Sequence, residues 1–307
     1  MTERATKRSR SSSLMEMPKM GLGTFAITST ETILKALEIG YRHLDLAEAY
    51  HNLPVIKDSL IRAFQPLNDG GLGLHRNDIW LTMKVFRINN DKHIDELLKQ
   101  LGLEYFDLLM YHTPSAHFGD CLSMQKHWLE MIYEKSKGNT KQIGVSNYYE
   151  QHLDILIKFC EEHNFEKPFA NEIQFNPYVQ PINLIRKCES LNIEIIAYCP
   201  LGFNFSGMLL HNEKIMSVAA ALNKSSAQVV LAWLLRQNVA VIPRSSNEKH
   251  LLENFQSLDK DFLTSFNADP NQIEMVKSLN RYPHDNWQLY WIDCSLTATS
   301  QSINWKI

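Results

Sequence analysis

"GLGTFA", residues 21–26, decides between two folds. Its spacing is G-x-G-x-x-A, and Asp45 follows about twenty residues on, as the first glycine turn of an open, dinucleotide-binding sheet requires. The surroundings argue against that sheet. The turn needs a firm strand before its first glycine, but residues 13–20, "SLMEMPKM", carry Pro18 and little β-branching. Nor does a helix open at the glycines; the next helical pattern starts several residues later, at Thr30–Glu31. "MGLGTF" therefore reads as a short first strand of a different, closed sheet.

Outward from it, strand and helix patterns alternate. "ETILKALEIG" (31–40) is a helix stopped by Gly40, and "HLDLA" is a strand. "LPVIKDSLIRAF" is a helix, and "IWLTMKVF" (79–86) a strand. "KHIDELLKQLG" is an amphipathic helix ended by Gly102, followed by the strand "FDLLMYH" (106–112) and a helix over 121–138. Then come the strand "KQIGVSN" (141–147), a helix, the strand "FANEIQF" (169–175), a helix, and the strand "IEIIAYCP" (193–200). A helical region, "EKIMSVAAALNKSSAQVVLAWLLRQN", leads to the last strand, "VAVIPRS" (239–245), and to the helix "EKHLLENFQSL". Counted from "MGLGTF" this makes eight strand–helix units, which in about this length close into a single-domain α/β barrel, the (β/α)8 TIM barrel. The barrel occupies residues 15–307. From about residue 270 the pattern breaks into a Trp- and Tyr-rich C-terminal extension, expected to cover the barrel mouth.

Composition narrows the function classes. A net charge of −3 argues against nucleic-acid binding. No apolar run reaches membrane-spanning length, so no membrane role is expected. Residues 1–14 read as a disordered basic tail, because no apolar stretch follows "MTERATKRSRSSS" as a secretory signal would require. The five cysteines are odd in number and widely spaced, which fits reduced thiols and a cytoplasmic protein. The histidines show no paired ligand spacing, so no metal is expected. No heptad or exposed apolar face points to an oligomer, and a monomer is favoured.

In a β/α barrel the chemistry sits at the C-terminal ends of the strands. Those ends carry Asp45 with Tyr50 just beyond, then Lys84, His112, Ser146 and Asn147, Asn171 with Glu172 and Gln174, Tyr198, and Arg244 with Ser245 and Ser246. A carboxylate inside a strand is expensive unless paired, and Lys84 on the neighbouring strand can meet Asp45. Taken alone, that pair is a structural ion pair closing the barrel. Tyr50 and His112 on the same rim change the reading, because a lysine beside a phenol lowers its pKa from about 10 toward neutrality and prepares a general acid.

"MGLGTF", "YRHLDLAEAY", "TMKVF", "LLMYHTP", "IGVSN", "NEIQFNPY", "AYCPLG" and "VIPRSSNEKHLLENF" resemble, in order, the signature stretches of the aldo-keto reductases over roughly residues 17–290. The resemblance implies reduction of a small-molecule carbonyl substrate, aldehyde or ketone, with NADPH, and less readily with NADH. By resemblance Tyr50 would donate the proton, Lys84 would depress its pKa, Asp45 would anchor Lys84, and His112 would position the carbonyl. Ser146 and Asn147 would hold the nicotinamide carboxamide, with Glu172 beside them, and Tyr198 would stack on the ring. Gly23 and Thr24 would lie by the ribose, and Leu201 and Gly202 along the pyrophosphate. Arg244, Ser245, Ser246, Asn247 and His250 would meet the adenosine phosphate, with Glu253 and Asn254 near the adenine. Ser246 taken alone reads as a helix N-cap after an ordinary strand-to-helix turn.

The chain also departs from the family pattern. "NEIQ" stands where "NQ-x-E" is usual, so Glu172 replaces a glutamine. Cys199 replaces a serine, and His250 replaces an arginine that often contacts the phosphate, while the usual N-terminal hairpin is shortened. Phe25 and Thr113 stand where tryptophans often line the substrate pocket; Phe86 keeps one aromatic there, and His112 is expected to meet the substrate as well. A cofactor-binding regulator or sensor on the same barrel, or a barrel without a ligand, is the competing expectation, since fold does not fix function.

Overall fold

The structure, a computed structural model, describes residues 15–114 and 121–281. The proposed N-terminal tail over 1–14 and the C-terminal cover beyond residue 281 lie outside the described residues. Eight parallel strands follow one another around the sheet in chain order. They are β1 (Leu22–Gly23), β2 (His43–Ala47), β3 (Trp80–Val85), β4 (Phe106–Tyr111), β5 (Thr140–Ser146), β6 (Ala170–Gln174), β7 (Glu194–Tyr198) and β8 (Ala240–Val241). Met20 bridges Val241 in parallel, with Val241 N–H donating to Lys19 O and Gly21 N–H to Val241 O, both at 2.8 Å. Those bonds close the ring. The seam is thin because β1 and β8 are two residues each, shorter than the sequence suggests. Backbones approach closely there: a Cβ on Gly23 would lie 2.8 Å from Ile242 O.

Strand alternation sorts the side chains into two cores. Even positions of β3, β4, β6, β7 and β8 point into the barrel, where Trp80, Leu108, Met110, Ala170, Ile196, Ala240 and Ile242 pack with Met17. The opposite faces, including Leu44, Leu81, Met83, Leu109, Val145, Ile173 and Ala197, pack under the helices. Both faces are buried, as an all-parallel sheet requires.

The helices follow their apolar spacing. In α1 (Thr30–Ile39) Ile33, Leu34, Ala36 and Leu37 are buried, and Gly40 ends the helix at φ 126° with its N–H on Ala36 O and Leu37 O. In α3 (His93–Leu101) Ile94, Leu97, Leu98 and Leu101 form one stripe at the 3–4 spacing that faces a core. Each such leucine contributes roughly 1.5–3 kcal/mol on burial, so a charge at Leu98 would detach the helix. The remaining helices are α2 (Leu53–Phe64), α4 (Cys121–Ser136), α5 (Glu150–His163), α6 (Ile182–Ser190) and α7 (Ser206–Leu210) on the way to β7 and just past it.

The long helical region before β8 is two helices, α8 (Glu213–Leu222) and α9 (Ser226–Leu235), at 90° to each other. Asn223 breaks them in the left-handed region at φ 51°, and Ser225 with Gln228 forms a capping box that starts α9. No single helix among the described residues is long and apolar enough to cross a membrane. After β8 come α10 (Glu248–Phe255), α11 (Lys260–Asn267) and α12 (Pro270–Lys277). The helix α12 packs on α8, α9 and α11 in the outer ring, so the chain from residue 270 to 281 continues the barrel wall.

Candidate active site

Register explains how the charged residues meet. Asp45 pairs with Gly23 on β1 and Thr82 on β3, while Lys84 pairs with Ala47 and Met110. Asp45 and Lys84 are thus offset by two residues and share the inward face, the stagger that a tilted barrel imposes. Below them the barrel is filled by apolar side chains and by His43, whose Nε2 lies 3.0 Å from Thr82 Oγ1. Burial depresses the His43 imidazole to about 4, so it is neutral.

The expected Asp45–Lys84 pair is present, and a third group joins it. Lys84 Nζ donates to both Asp45 oxygens at 2.7 Å and to Glu172 Oε1 at 2.5 Å. The lysine side chain is 0% exposed and the two carboxylates 2% each. Two carboxylates compete for one ammonium in a dry pocket, and they cannot both ionise cheaply. Burial, then the Asp45 charge, pushes the Glu172 carboxyl up to about 8, so Glu172 is mainly protonated at neutral pH. Burial pulls the Lys84 ammonium down, but Asp45 and Glu172 outweigh it and hold Lys84 charged. Glu172 Oε2 is buried and has no hydrogen-bond partner.

Tyr50 follows β2 on a single 3₁₀ turn, Glu48–Tyr50. Its ring centre lies 5.4 Å from Lys84 Nζ, 6.0 Å from the His112 ring and 5.3 Å from Phe25. The sequence-based expectation of a phenol lowered toward neutrality is overturned. Burial raises the Tyr50 pKa, and the negative charge of Asp45 adds to it; Lys84 pulls the other way without prevailing. Tyr50 therefore remains a protonated phenol, poised to give a proton rather than to take one. Burial, aided by the Lys84 charge, lowers His112 to about 3, so its imidazole is neutral, and its Nδ1 is buried without a partner. Phe86 stacks on His112 at 4.8 Å and 15°, and Thr113 is half-buried beside them. Phe203, in the loop after β7, lies 6.4 Å from Phe25 and completes an aromatic wall. The sequence reading missed Phe203; its signal was its place directly after Leu201 and Gly202.

The polar residues of the next strands form one network. Ser146 Oγ donates to Glu172 O at 3.1 Å. Asn147 Nδ2 donates to His112 O and Ser146 Oγ, and Tyr198 O–H donates to Asn147 Oδ1 at 2.7 Å. Thr24 Oγ1 donates to Asp45 O at 2.7 Å. Left-handed conformations gather at this rim: Ala26, His51, Asn147, Cys199 and Phe203 all have φ between 47° and 61°. Strain of this kind, about 1–3 kcal/mol per residue, marks sites whose surroundings over-determine the backbone. Gly202, at φ 92°, takes the same region without that cost.

Further out, exposed Arg244 donates from Nη2 to Ala26 O at 3.1 Å, tying the loop after β8 to the loop after β1. The N-cap of α10 is Asn247, not Ser246: its side chain accepts from Lys249 N–H and His250 N–H. Ser245 Oγ accepts from Asn247 N–H at 3.0 Å. Ser246 and His250 are exposed, Glu253 is half-buried and Asn254 is buried. These residues form a rim separate from the charged centre. Among the described residues no group of three or more His, Cys, Asp or Glu is arranged to hold a metal ion.

The chain is similar to known proteins. The profile of the aldo/keto reductase family matches residues 19–281. A 9,11-endoperoxide prostaglandin H2 reductase of Trypanosoma cruzi is 32% identical, over 87% of this chain and 89% of its own length. The glyoxal reductase of Bacillus subtilis is 30% identical, over 87% and 90%. The crystal structure of the aldose reductase of Schistosoma japonicum superposes with a TM-score of 0.74 at 29% identity, over 88% of this chain and 91% of that one. The chain belongs to the aldo/keto reductase family, and it is an oxidoreductase of that type, working with a nicotinamide cofactor.

Proposed function

We propose that this protein reduces an aldehyde or ketone to an alcohol with NADPH, Tyr50 serving as the proton donor. The observation that carries the reading is the buried Lys84 ammonium, held by the Asp45 carboxylate and the Glu172 carboxyl, 5.4 Å from the Tyr50 ring and beside a neutral His112. The residues suit a nicotinamide group: Ser146, Asn147 and Tyr198 are joined in one network, and Glu172 Oε2 is left without a partner beside them. When bound, NADPH supplies the hydride that attacks the carbonyl carbon.

The neutral imidazole of His112 holds the carbonyl oxygen with an N–H. Tyr50 gives its phenolic proton to the developing alkoxide, and Lys84 stabilises the phenolate left behind. Asp45 keeps Lys84 charged and aimed. The dry setting strengthens each of these interactions relative to water. Phe25, Phe86, Phe203 and Thr113 wall the space for the substrate. The wall is apolar, which favours small apolar or aromatic aldehydes; relatives named glyoxal reductase and methylglyoxal reductase point to small carbonyl compounds as well.

Two variants test the reading. Tyr50→Phe retains cofactor binding and loses at least about a hundredfold in aldehyde reduction, the scale of a positioned general acid. Turnover near that of the parent protein would sink the proposal. Arg244 has guanidinium donors to offer a 2′-phosphate, a charge-assisted contact of about 1.5–3 kcal/mol, or roughly ten- to a hundredfold. Arg244→Ala therefore weakens NADPH by that factor and leaves NADH unchanged. Equal losses for the two cofactors, measured by quenching of tryptophan fluorescence, would show that Arg244 does not read the phosphate.

A further inference from the structure

Glu172 is the residue in the charged centre that Tyr50 chemistry does not require. Asp45 alone, with two bonds of 2.7 Å, anchors Lys84. Yet Glu172 spends one oxygen on the same ammonium from β6, across the barrel from β3, and leaves the other buried and unbonded. An unbonded oxygen at 2% residue exposure is costly unless something that enters the pocket completes it. A glutamine would fill the same volume and offer an amide NH2 in place of the second oxygen, but only the carboxyl can change its charge.

We propose that Glu172 sets the charge of the cofactor pocket, keeping its proton when the ring held there is reduced and neutral and releasing it to solvent when the ring is oxidised and positive. The inference rests on the reading of the mouth as a nicotinamide site. A cation within about 4–6 Å lowers a carboxyl pKa by roughly 1–3 units. The oxidised ring therefore acts on Glu172 as a second Lys84 would.

The groups that face Glu172 leave it alone in the working pH range. From β2 and the turn after it come Asp45 and Tyr50; from β3 comes Lys84; from β7 and just beyond come Tyr198 and Cys199; His112, at the end of β4, lies next to Tyr50 and is acted on by Lys84. Ser146 of β5 donates to the Glu172 carbonyl and does not titrate. Lys84 is held charged, Tyr50 and Tyr198 are held protonated, burial pushes Cys199 up to about 12, and His112 sits near 3. Glu172, near 8, is the group of this set that changes charge around neutrality.

The sign follows by linkage. Holding the oxidised cofactor lowers the Glu172 pKa from about 8, so its affinity grows as pH rises from that lowered value to about 8 and then levels off. The reduced cofactor gains nothing from the ionised carboxylate. Other titrations, those of the cofactor phosphates and of His250, act on both forms and cancel in the ratio of the two dissociation constants.

The test measures dissociation constants of NADP⁺ and NADPH by tryptophan-fluorescence quenching from pH 6 to pH 9. In the unmodified protein the ratio Kd(NADPH)/Kd(NADP⁺) rises by at least about tenfold with pH. In Glu172→Gln the ratio is flat, and in Glu172→Asp, which keeps a carboxyl, the rise returns. A flat ratio in the unmodified protein, or the same rise in Glu172→Gln, overturns the inference while leaving the cofactor site intact. Failure of both cofactors to bind at any pH overturns the site reading, and this inference with it.

Discussion

The barrel contains two three-charge clusters that mirror each other. At the N-terminal ends of the strands, Asp107 of β4 sits between two cations: Arg76 Nη2 donates to it at 2.7 Å and Lys141 Nζ at 3.2 Å, and Leu81 N–H adds a bond at 2.9 Å. At the C-terminal ends, Lys84 sits between two acids, Asp45 and Glu172. The lower cluster is open to water at its cations, with Arg76 17% and Lys141 29% exposed. Both of these cations also lie over the Tyr105 ring, at 4.2 and 4.0 Å. The upper cluster is dry, and it keeps an acid oxygen unbonded. One acid with two wet cations is a clamp that joins β3, β4 and β5. One cation with two dry acids holds a proton that can be removed, beside the phenol proposed as the donor. On the proposed function, the ends of the barrel divide the work between stability and chemistry.

The largest break in that contrast is Lys84→Met. It leaves two buried carboxyls without a cation, which destabilises by roughly 3–5 kcal/mol and abolishes reduction. Thermal melting at pH 7 reads the first effect and an aldehyde assay the second. An unchanged melting temperature would mean that the upper cluster is solvated. Next comes Glu172→Gln. Glu172 titrates near 4.5 when free and about 8 when folded, so between those values the folded chain binds more protons than the unfolded one. Stability contributed by this group is therefore full below pH 4.5 and is lost as pH rises to about 8, with a slope of up to about 1.4 kcal/mol per pH unit. Glu172→Gln removes that slope and is the more stable protein at pH 8; a melting-temperature series across pH checks it. The smallest effect is Lys141→Met. Arg76 and Leu81 N–H still hold Asp107, and a partly exposed ion pair contributes at most about 1 kcal/mol. Urea unfolding resolves it, and a loss as large as that of Lys84→Met would erase the distinction between the two clusters.

Much of this was legible before any coordinates. The Asp45–Lys84 pairing followed from neighbouring strands and the penalty on a lone buried acid, and the structure brings the two together. The strand order followed from eight repeated units. Less legible were the features that depend on how far a pattern continues. The helical region over 213–238 breaks at Asn223, a point the sequence reading did not place, because Asn tolerates the left-handed conformation but does not demand it. The outer strands β1 and β8 shrink to two residues because the ladder ends where the register runs out, not where β-forming side chains do. The N-cap before α10 falls on Asn247 rather than Ser246, because the two side chains cap equally well and only the backbone path chooses between them.

The sequence by itself determined the fold class and the chemical inventory: residue spacing sets which side chains face inward, and burial decides that an inward acid needs a partner. Only the tertiary structure decided that Lys84 has two such partners. Glu172 lies three strands away from Lys84, and no local spacing shows that the barrel is narrow enough for their side chains to meet across it. The Tyr50 phenol was decided in the same way. Its protonation depends on the balance between the water it loses and the charges on three other strands or turns, and that sum exists only once the ring of strands has closed.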